Sequence, residues 1–324
     1  MLPVKPFKAR AMENTEILLV TGATGLIGKR LIPVLLASGK TLVVLSRRPD
    51  KAAELGDGIR VIGNLDELPS STALSGIVHL AGEPVAAKLW SSKRKQELIR
   101  SRAELPRQIG AWISRAQQPP RVWLNASAIG WYGTPSDPEQ ELTEKDASGH
   151  GFAAKLCAHI EASAAQALSE QCNSSLPRLV QLRIGLVLAP PVEGGYLASL
   201  AKPIKLFVGT VLGDGQQWQS WVHIDDVVRA LARCLDDASL QGPVNLTSPY
   251  PERASTLMKE LGDALNRPVP FRIPKGLLRM VAGEMADDLL LTSQRVLPTR
   301  LLEQNFEFSY PRLKDALRDL LARR

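Results

Sequence analysis

The sequence predicts an α/β protein built on a doubly wound parallel sheet, with a smaller, mixed C-terminal domain, and three observations carry that prediction. Short apolar, β-branched runs alternate with stretches of helical spacing up to about residue 187. A glycine-spaced turn joins the first run to the first helical stretch. Beyond that point the alternation breaks into Pro- and Gly-rich segments before helical patterning returns.

The opening elements are the most explicit. Ile17-Leu18-Leu19-Val20 reads as a buried strand, Thr21-Gly22-Ala23-Thr24-Gly25-Leu26-Ile27-Gly28 as the turn, and Leu31…Leu35-Leu36 as the helix behind it. Gly22 permits the tight turn, Gly25 lets a pyrophosphate reach the backbone, and Gly28 lets helix and strand approach closely. The helix start then offers unpaired N–H groups and a positive dipole end to an anion. Strand, turn and helix in this order mark a Rossmann-type dinucleotide site.

The next strand selects the dinucleotide. Thr41-Leu42-Val43-Val44-Leu45 ends in Ser46-Arg47-Arg48, where an acidic residue would receive a free ribose 2′-hydroxyl. A hydroxyl and two guanidiniums suit a 2′-phosphate instead, so NADP(H) is the expected cofactor. Arg48 is equally suited to stack on adenine or to face water.

Further along, Ile59–Ile62 and Gly76–Leu80 read as strands, 91–117 as a helix, and Arg121–Ser127 as a strand closing in a small-residue turn. Residues 152–171 are Ala-rich and helical, and Leu179–Ile184 is again a strand. Trp221-Val222-His223-Ile224-Asp225-Asp226 reads as a short strand running into an Asp-capped helix, and Gly242–Thr247 as one more strand. The expected organisation is a disordered extension over 1–15 and a dinucleotide-binding domain over 16–187 that regains 221–247. A substrate domain then takes 188–220 and 248–324.

Composition narrows the function classes. The 324 residues are 44% hydrophobic, enough for a substantial core, and the net charge of +7 is partly spent at the chain ends. No basic stripe interleaved with aromatics favours nucleic acid, and no apolar run approaches the ~18 residues of a membrane helix. Cys157, Cys172 and Cys234 are odd in number and lack ligand spacing, which fits a reducing cytoplasm and no metal site. Substrate identity and oligomeric state are not written in the chain.

Several pieces together resemble the atypical epimerase-like branch of the extended short-chain dehydrogenase/reductases. They are the 21–28 turn, His79-Leu80-Ala81-Gly82, Ser127-Ala128-Ile129-Gly130-Trp131-Tyr132-Gly133, Gly151–Cys157, Trp221–Asp226, and Gly283-Glu284-Met285-Ala286 with Ser293-Gln294-Arg295-Val296. The resemblance covers about residues 15–320 and implies that Thr24, Gly25, Leu26 and Ile27 face the phosphates. It places Ser46 and Arg47 at the 2′-phosphate, Leu80, Ala81, Gly82 and Glu83 along the cofactor, and Val187 at the nicotinamide end. Glu97 and Arg102 match a stretch that contributes cofactor contacts in relatives; near-spaced opposite charges on an exposed helix are the other reading.

The resemblance also implies a catalytic Tyr with a Lys four residues later, and here the sequence departs. Phe152 and Leu156 stand at those positions, and Lys155 falls one residue early, about a hundred degrees around the helix. Ala128 takes the place of the polar partner, with Ser127 next door. Ser127 and Tyr132 are the remaining catalytic candidates, Tyr132 on a loop at the sheet edge. His223 with Asp225 and Asp226 offers an acid/base alternative, His79 reads as a core histidine, and His159 and Glu161 do not share a helix face. Two functions follow: an NADP(H)-dependent oxidoreductase or epimerase-like enzyme with an unusual proton relay, or a non-catalytic NADP(H) sensor acting through a protein partner.

Overall fold

The computed structural model describes residues 16–170 and 176–323. The expected extension over 1–15, and Cys172, lie outside them.

The principal strands are β1 (Ile17–Thr21), β2 (Thr41–Leu45), β3 (Ile59–Ile62), β4 (Leu74–His79), β5 (Val122–Ala128), β6 (Arg178–Ile184), the short β7 (Leu186–Leu188) and β8 (Trp221–His223), and β9 (Gly242–Leu246). Seven of them form one sheet in the order β9-β6-β5-β4-β1-β2-β3, every pair parallel. The chain order reverses between β1 and β4, which opens a crevice beyond their carboxyl ends where ligands of such sheets lie. Register places Thr21 opposite both Leu45 and His79, so three strand ends meet at that crevice.

Helices cover both faces because each carries one apolar stripe. In α1 (Leu26–Ala37) the buried positions are Gly28, Leu31, Ile32 and Leu35, spaced for a single helical face. With α4 (Ile224–Asp236) it closes one side of the sheet through Val227, Leu231 and Leu235. On the other side α2 (Ser92–Arg115) and α3 (Phe152–Ser169) bury Ile109, Trp112, Ile113, Ala164 and Leu168 against β1, β4 and β5. No described helix is long and apolar enough to cross a membrane.

A separate apolar cluster gathers Leu188, Leu197, Ile204, Trp221, Ile224, Leu257, Leu261, Leu317 and Leu320. It joins helix Gly195–Lys205 to α5 (Ala254–Leu265) and α6 (Leu313–Ala322). Short ladders fringe this smaller region, including Thr210–Leu212 with Phe271–Ile273 and Arg295–Val296 with Glu141–Leu142. Within 221–247, β9 joins the main sheet and α4 packs on it, while β8 pairs with β7.

One local expectation is corrected. The cap of α4 is His223, not an aspartate: its Nδ1 accepts the Asp225 N–H at 3.1 Å. The aspartates are held elsewhere. Asp226, buried, accepts the backbone N–H groups of Ser309 and Tyr310 at 2.8 and 2.9 Å and so anchors the C-terminal tail.

Candidate functional site

The crevice is shaped first by Gly22. Its φ is +74°, and a Cβ there would stand 2.7 Å from the backbone of Leu80 and Ala81, so only glycine lets the first turn press against the end of β4. At Gly28 the constraint is steric alone: a Cβ would lie 2.4 Å from Gly22 O. Thr24 and Gly25 complete the turn, and Gly25, exposed and extended, stands at the helix N-cap with no side chain capping it. No acidic residue occupies the first turn, so the α1 start faces the crevice with its electropositive end uncompensated. Leu26 and Ile27 are half-buried and pack against the smaller region's cluster, tying the turn to it.

Across the crevice, Ser46 follows β2 and its hydroxyl bonds the backbone of Arg48 at 3.1 Å. Arg48 is exposed and begins the short helix Pro49–Ala53. The Arg47 side chain is 92% exposed and has Glu83 Oε1 at 3.4 Å. Two arginines of α2 hold the loop after β4: Arg102 donates to Glu83 O and Arg94 to Pro84 O at 2.8 Å. The Arg102 guanidinium also lies against Gly82, while Leu80 and Ala81 close the strand end beside Gly22. Glu97 therefore does not pair with Arg102; it meets Arg94 at 3.3 Å. Arg94 carried no sequence signal, because it is one cation in the exposed-looking run Lys93-Arg94-Lys95, yet it is buried.

His79 is buried at the end of β4, its Nδ1 2.7 Å from Thr21 Oγ1, which also accepts the Ala81 N–H. Burial, with the Arg102 charge nearby, pulls its pKa from 6.5 to about 4. Between those values the unfolded chain binds a proton that the folded chain does not, so this contribution to stability is complete above the unfolded pKa and is lost as pH falls. From about pH 7 to about pH 4.5, wild type is expected to lose about 2–3 kcal/mol through this group, and His79→Gln to lack that component. Coincident urea-denaturation slopes against pH for the two proteins would refute the assignment.

At the end of β5 lies a buried polar network. Ser127 donates to Glu161 Oε1 at 2.9 Å, and Arg183 clamps the same carboxylate through Nε and Nη2 at 2.9 and 3.0 Å. Arg183 also donates to Tyr132 Oη at 3.1 Å and stacks 3.9 Å from the Trp131 ring. Tyr132 sits in a 3-10 turn over Ile129–Tyr132 rather than on an open loop; its hydroxyl donates to Asn245 Oδ1 at 2.7 Å. Burial pushes its pKa up to about 12.

Beside this network α3 begins. Phe152 and Leu156 are buried and Lys155 is exposed, so the lysine lies on the outer face. Gly151 contributes no capping side chain; Asp288 supplies the carboxylate instead, accepting the Ala153 N–H at 2.9 Å. Val187 lies on β7, half-buried and in register with Val222. His223, Asp225 and Asp319 gather in the smaller region, where Arg323 bridges both carboxylates at 2.6 Å and offsets one of their two charges. His223 is wholly buried there, stacked on Tyr310 with its Nε2 3.1 Å from Asp319.

A parallel sheet of this order, with a glycine turn at its first βα junction, defines a Rossmann-type, dinucleotide-binding class of protein. More narrowly, the chain belongs to the NAD dependent epimerase/dehydratase family, whose model matches residues 18–246. Residues 273–320 match a second model, a domain of unknown function (DUF1731). The chain is 34% identical over 316 residues to the chloroplastic epimerase family protein SDR39U1 homolog of Arabidopsis thaliana, covering 95% of this chain and 88% of that protein. An epimerase family protein of Mycobacterium bovis is 33% identical, with 93% and 96% covered. Among solved structures, human epimerase family protein SDR39U1 (isoform 2) with NADPH superposes with a TM-score of 0.82 at 28% identity, over 95% of this chain and 100% of that one. A nucleoside-diphosphate sugar epimerase from Corynebacterium glutamicum gives 0.73 at 27% identity, covering 94% of this chain and 57% of the other.

Proposed function

We propose that this protein binds NADP(H) in the crevice and uses it to reduce or oxidise a small molecule at a carbonyl or hydroxyl carbon. The observation that carries this reading is the uncapped α1 N-terminus facing the crevice, with Ser46 and Arg47, and no acid, at the end of β2. The residues suit the group: Thr24, Gly25, Leu26 and Ile27 would take the pyrophosphate. Arg47, extended into solvent, is free to turn from Glu83 to a 2′-phosphate. Leu80 to Glu83, braced by Arg102, would line the adenosine side and Val187 the nicotinamide side. When bound, the dihydronicotinamide supplies hydride; the solved human relative with NADPH supports the choice of cofactor.

In this reading Ser127 and Tyr132 are positioning residues, since both hydroxyls serve the Glu161–Arg183 network. A cytoplasmic setting accords with Cys157 and Cys234 being free and buried. A second reading, a non-catalytic NADP(H) sensor, is favoured by one observation: Phe152 and Leu156 are buried apolar residues and Lys155 faces outward.

Titration of NADPH fluorescence tests the first claim. NADPH is expected to bind much more tightly than NADH, and Arg47→Ala to weaken NADPH by about 10- to 100-fold while leaving NADH nearly unchanged. Equal affinities for the two nucleotides would overturn the 2′-phosphate assignment. Turnover with carbonyl compounds separates enzyme from sensor.

A further inference from the structure

Lys95 stands in the first turns of α2, seven residues before Arg102 and so on nearly the same helix face, about 10 Å along the axis. Arg102 braces the loop that follows β4, and Lys95 faces Phe152, the first residue of α3, which packs beside the turn Ile129–Tyr132 at the carboxyl end of β5. There the ammonium lies 4.9 Å from the centroid of the Phe152 ring and pairs with Glu284 from the smaller region. Trp90 meets Phe152 edge-on at 4.8 Å, and Val85 and Leu98 pack behind them. A cation is thus held over an apolar shelf at the start of α3. Its side chain is 26% exposed, open to exchange protons with solvent.

We propose that Lys95, steadied by Glu284, is the proton donor when this protein reduces an aldehyde or ketone with an apolar flank; the proposal rests on the NADP(H) reading above. The carbonyl carbon receives hydride from the dihydronicotinamide, the C=O π pair becomes a lone pair on oxygen, and that oxygen takes a proton from the Lys95 ammonium. Carbonyl is reduced to alcohol, cofactor is oxidised, and the neutral amine regains its proton from water. The shelf excludes water on one side, which strengthens the attraction between ammonium and developing alkoxide. It also selects the substrate, because the half-buried Trp90 has its indole N–H spent on Val85 O at 3.1 Å and leaves an apolar ring face for a hydrocarbon or aromatic flank.

The test uses the full chain and has two arms. Lysine acetylation by acetic anhydride, read by peptide mass spectrometry, compares free protein with protein holding the unreactive pair NADP⁺ and acetophenone. Lys95 is expected to be labelled in the first and protected in the second; equal labelling overturns the proposal. In the second arm, Lys95→Met is expected to bind NADPH as wild type does but to oxidise it about 100-fold more slowly with benzaldehyde, acetophenone or hexanal. Lys95→Arg, which keeps the charge and the Glu284 pair but gives up its proton poorly, should fold and remain impaired. Wild-type turnover in Lys95→Met, or a wild type that binds NADPH and reduces none of these carbonyls, overturns the proton donor and leaves the cofactor reading standing. A wild type that does not bind NADPH removes both.

Discussion

Gly22→Ala is expected to destabilise the fold by about 2–5 kcal/mol and to abolish nucleotide binding. Two costs add: about 1–2 kcal/mol for a side chain at positive φ, and about 1–3 kcal/mol for overpacking. The second applies because a Cβ would meet Leu80 and Ala81 backbone at 2.7 Å, and backbone cannot turn aside as a flexible side chain can. Gly39→Ala is the matched control. Gly39 has φ +78° with nothing within 4 Å of its Cβ position, so it bears only the conformational cost. Thermal denaturation should show Gly22→Ala well below Gly39→Ala. Equal midpoints for the two would mean that the turn does not press on β4.

Arg183→Met is expected to cost about 3–5 kcal/mol, because it strands a buried carboxylate. Glu161 is 8% exposed, and without the guanidinium its carboxylate retains Ser127 as its remaining bonded partner. Glu161→Met should cost a similar amount by leaving Arg183 buried at 3% exposure without its anion. The double variant, which removes both charges, is expected to be more stable than the sum of the single losses predicts. Urea denaturation of the four proteins measures this coupling. A single variant within about 1 kcal/mol of wild type would show that the pair is solvated rather than buried.

The parts of the site that were legible in the sequence are those whose determinants are local. Strands β2 and β3 lie at the residues that their apolar runs marked, and the glycine turn is built from eight consecutive residues. Phe152 and Leu156 could be seen to break the helix pattern because both lie on one short segment. Glu97 and Arg102 show the limit of such reasoning. Their spacing suggested a pair, whereas Arg102 serves the carbonyl of Glu83 and Glu97 serves Arg94.

What escaped the sequence has partners far along the chain. Glu161 was weighed only against His159, two residues away, and its true partner Arg183 lies on the neighbouring β6. Tyr132 meets Asn245 across a separation of 113 residues, and Asp288 caps α3 across 135. Lys95 carries no local signal; the packing of α2 on α3 sets it over Phe152.

The sequence by itself determined the sheet, its first turn and the sign of charge awaiting the adenosine, because strand runs, glycine spacing and the absence of an acid act over a few neighbouring residues. The tertiary structure alone decided which polar groups are committed and which remain open to the crevice. Tyr132, Ser127 and Asp226 are bound into the fold, while Arg47 keeps an exposed cationic end. The physical reason is burial: a hydroxyl or charge taken from water must find a partner inside, and that partner is chosen by packing rather than by proximity in the chain.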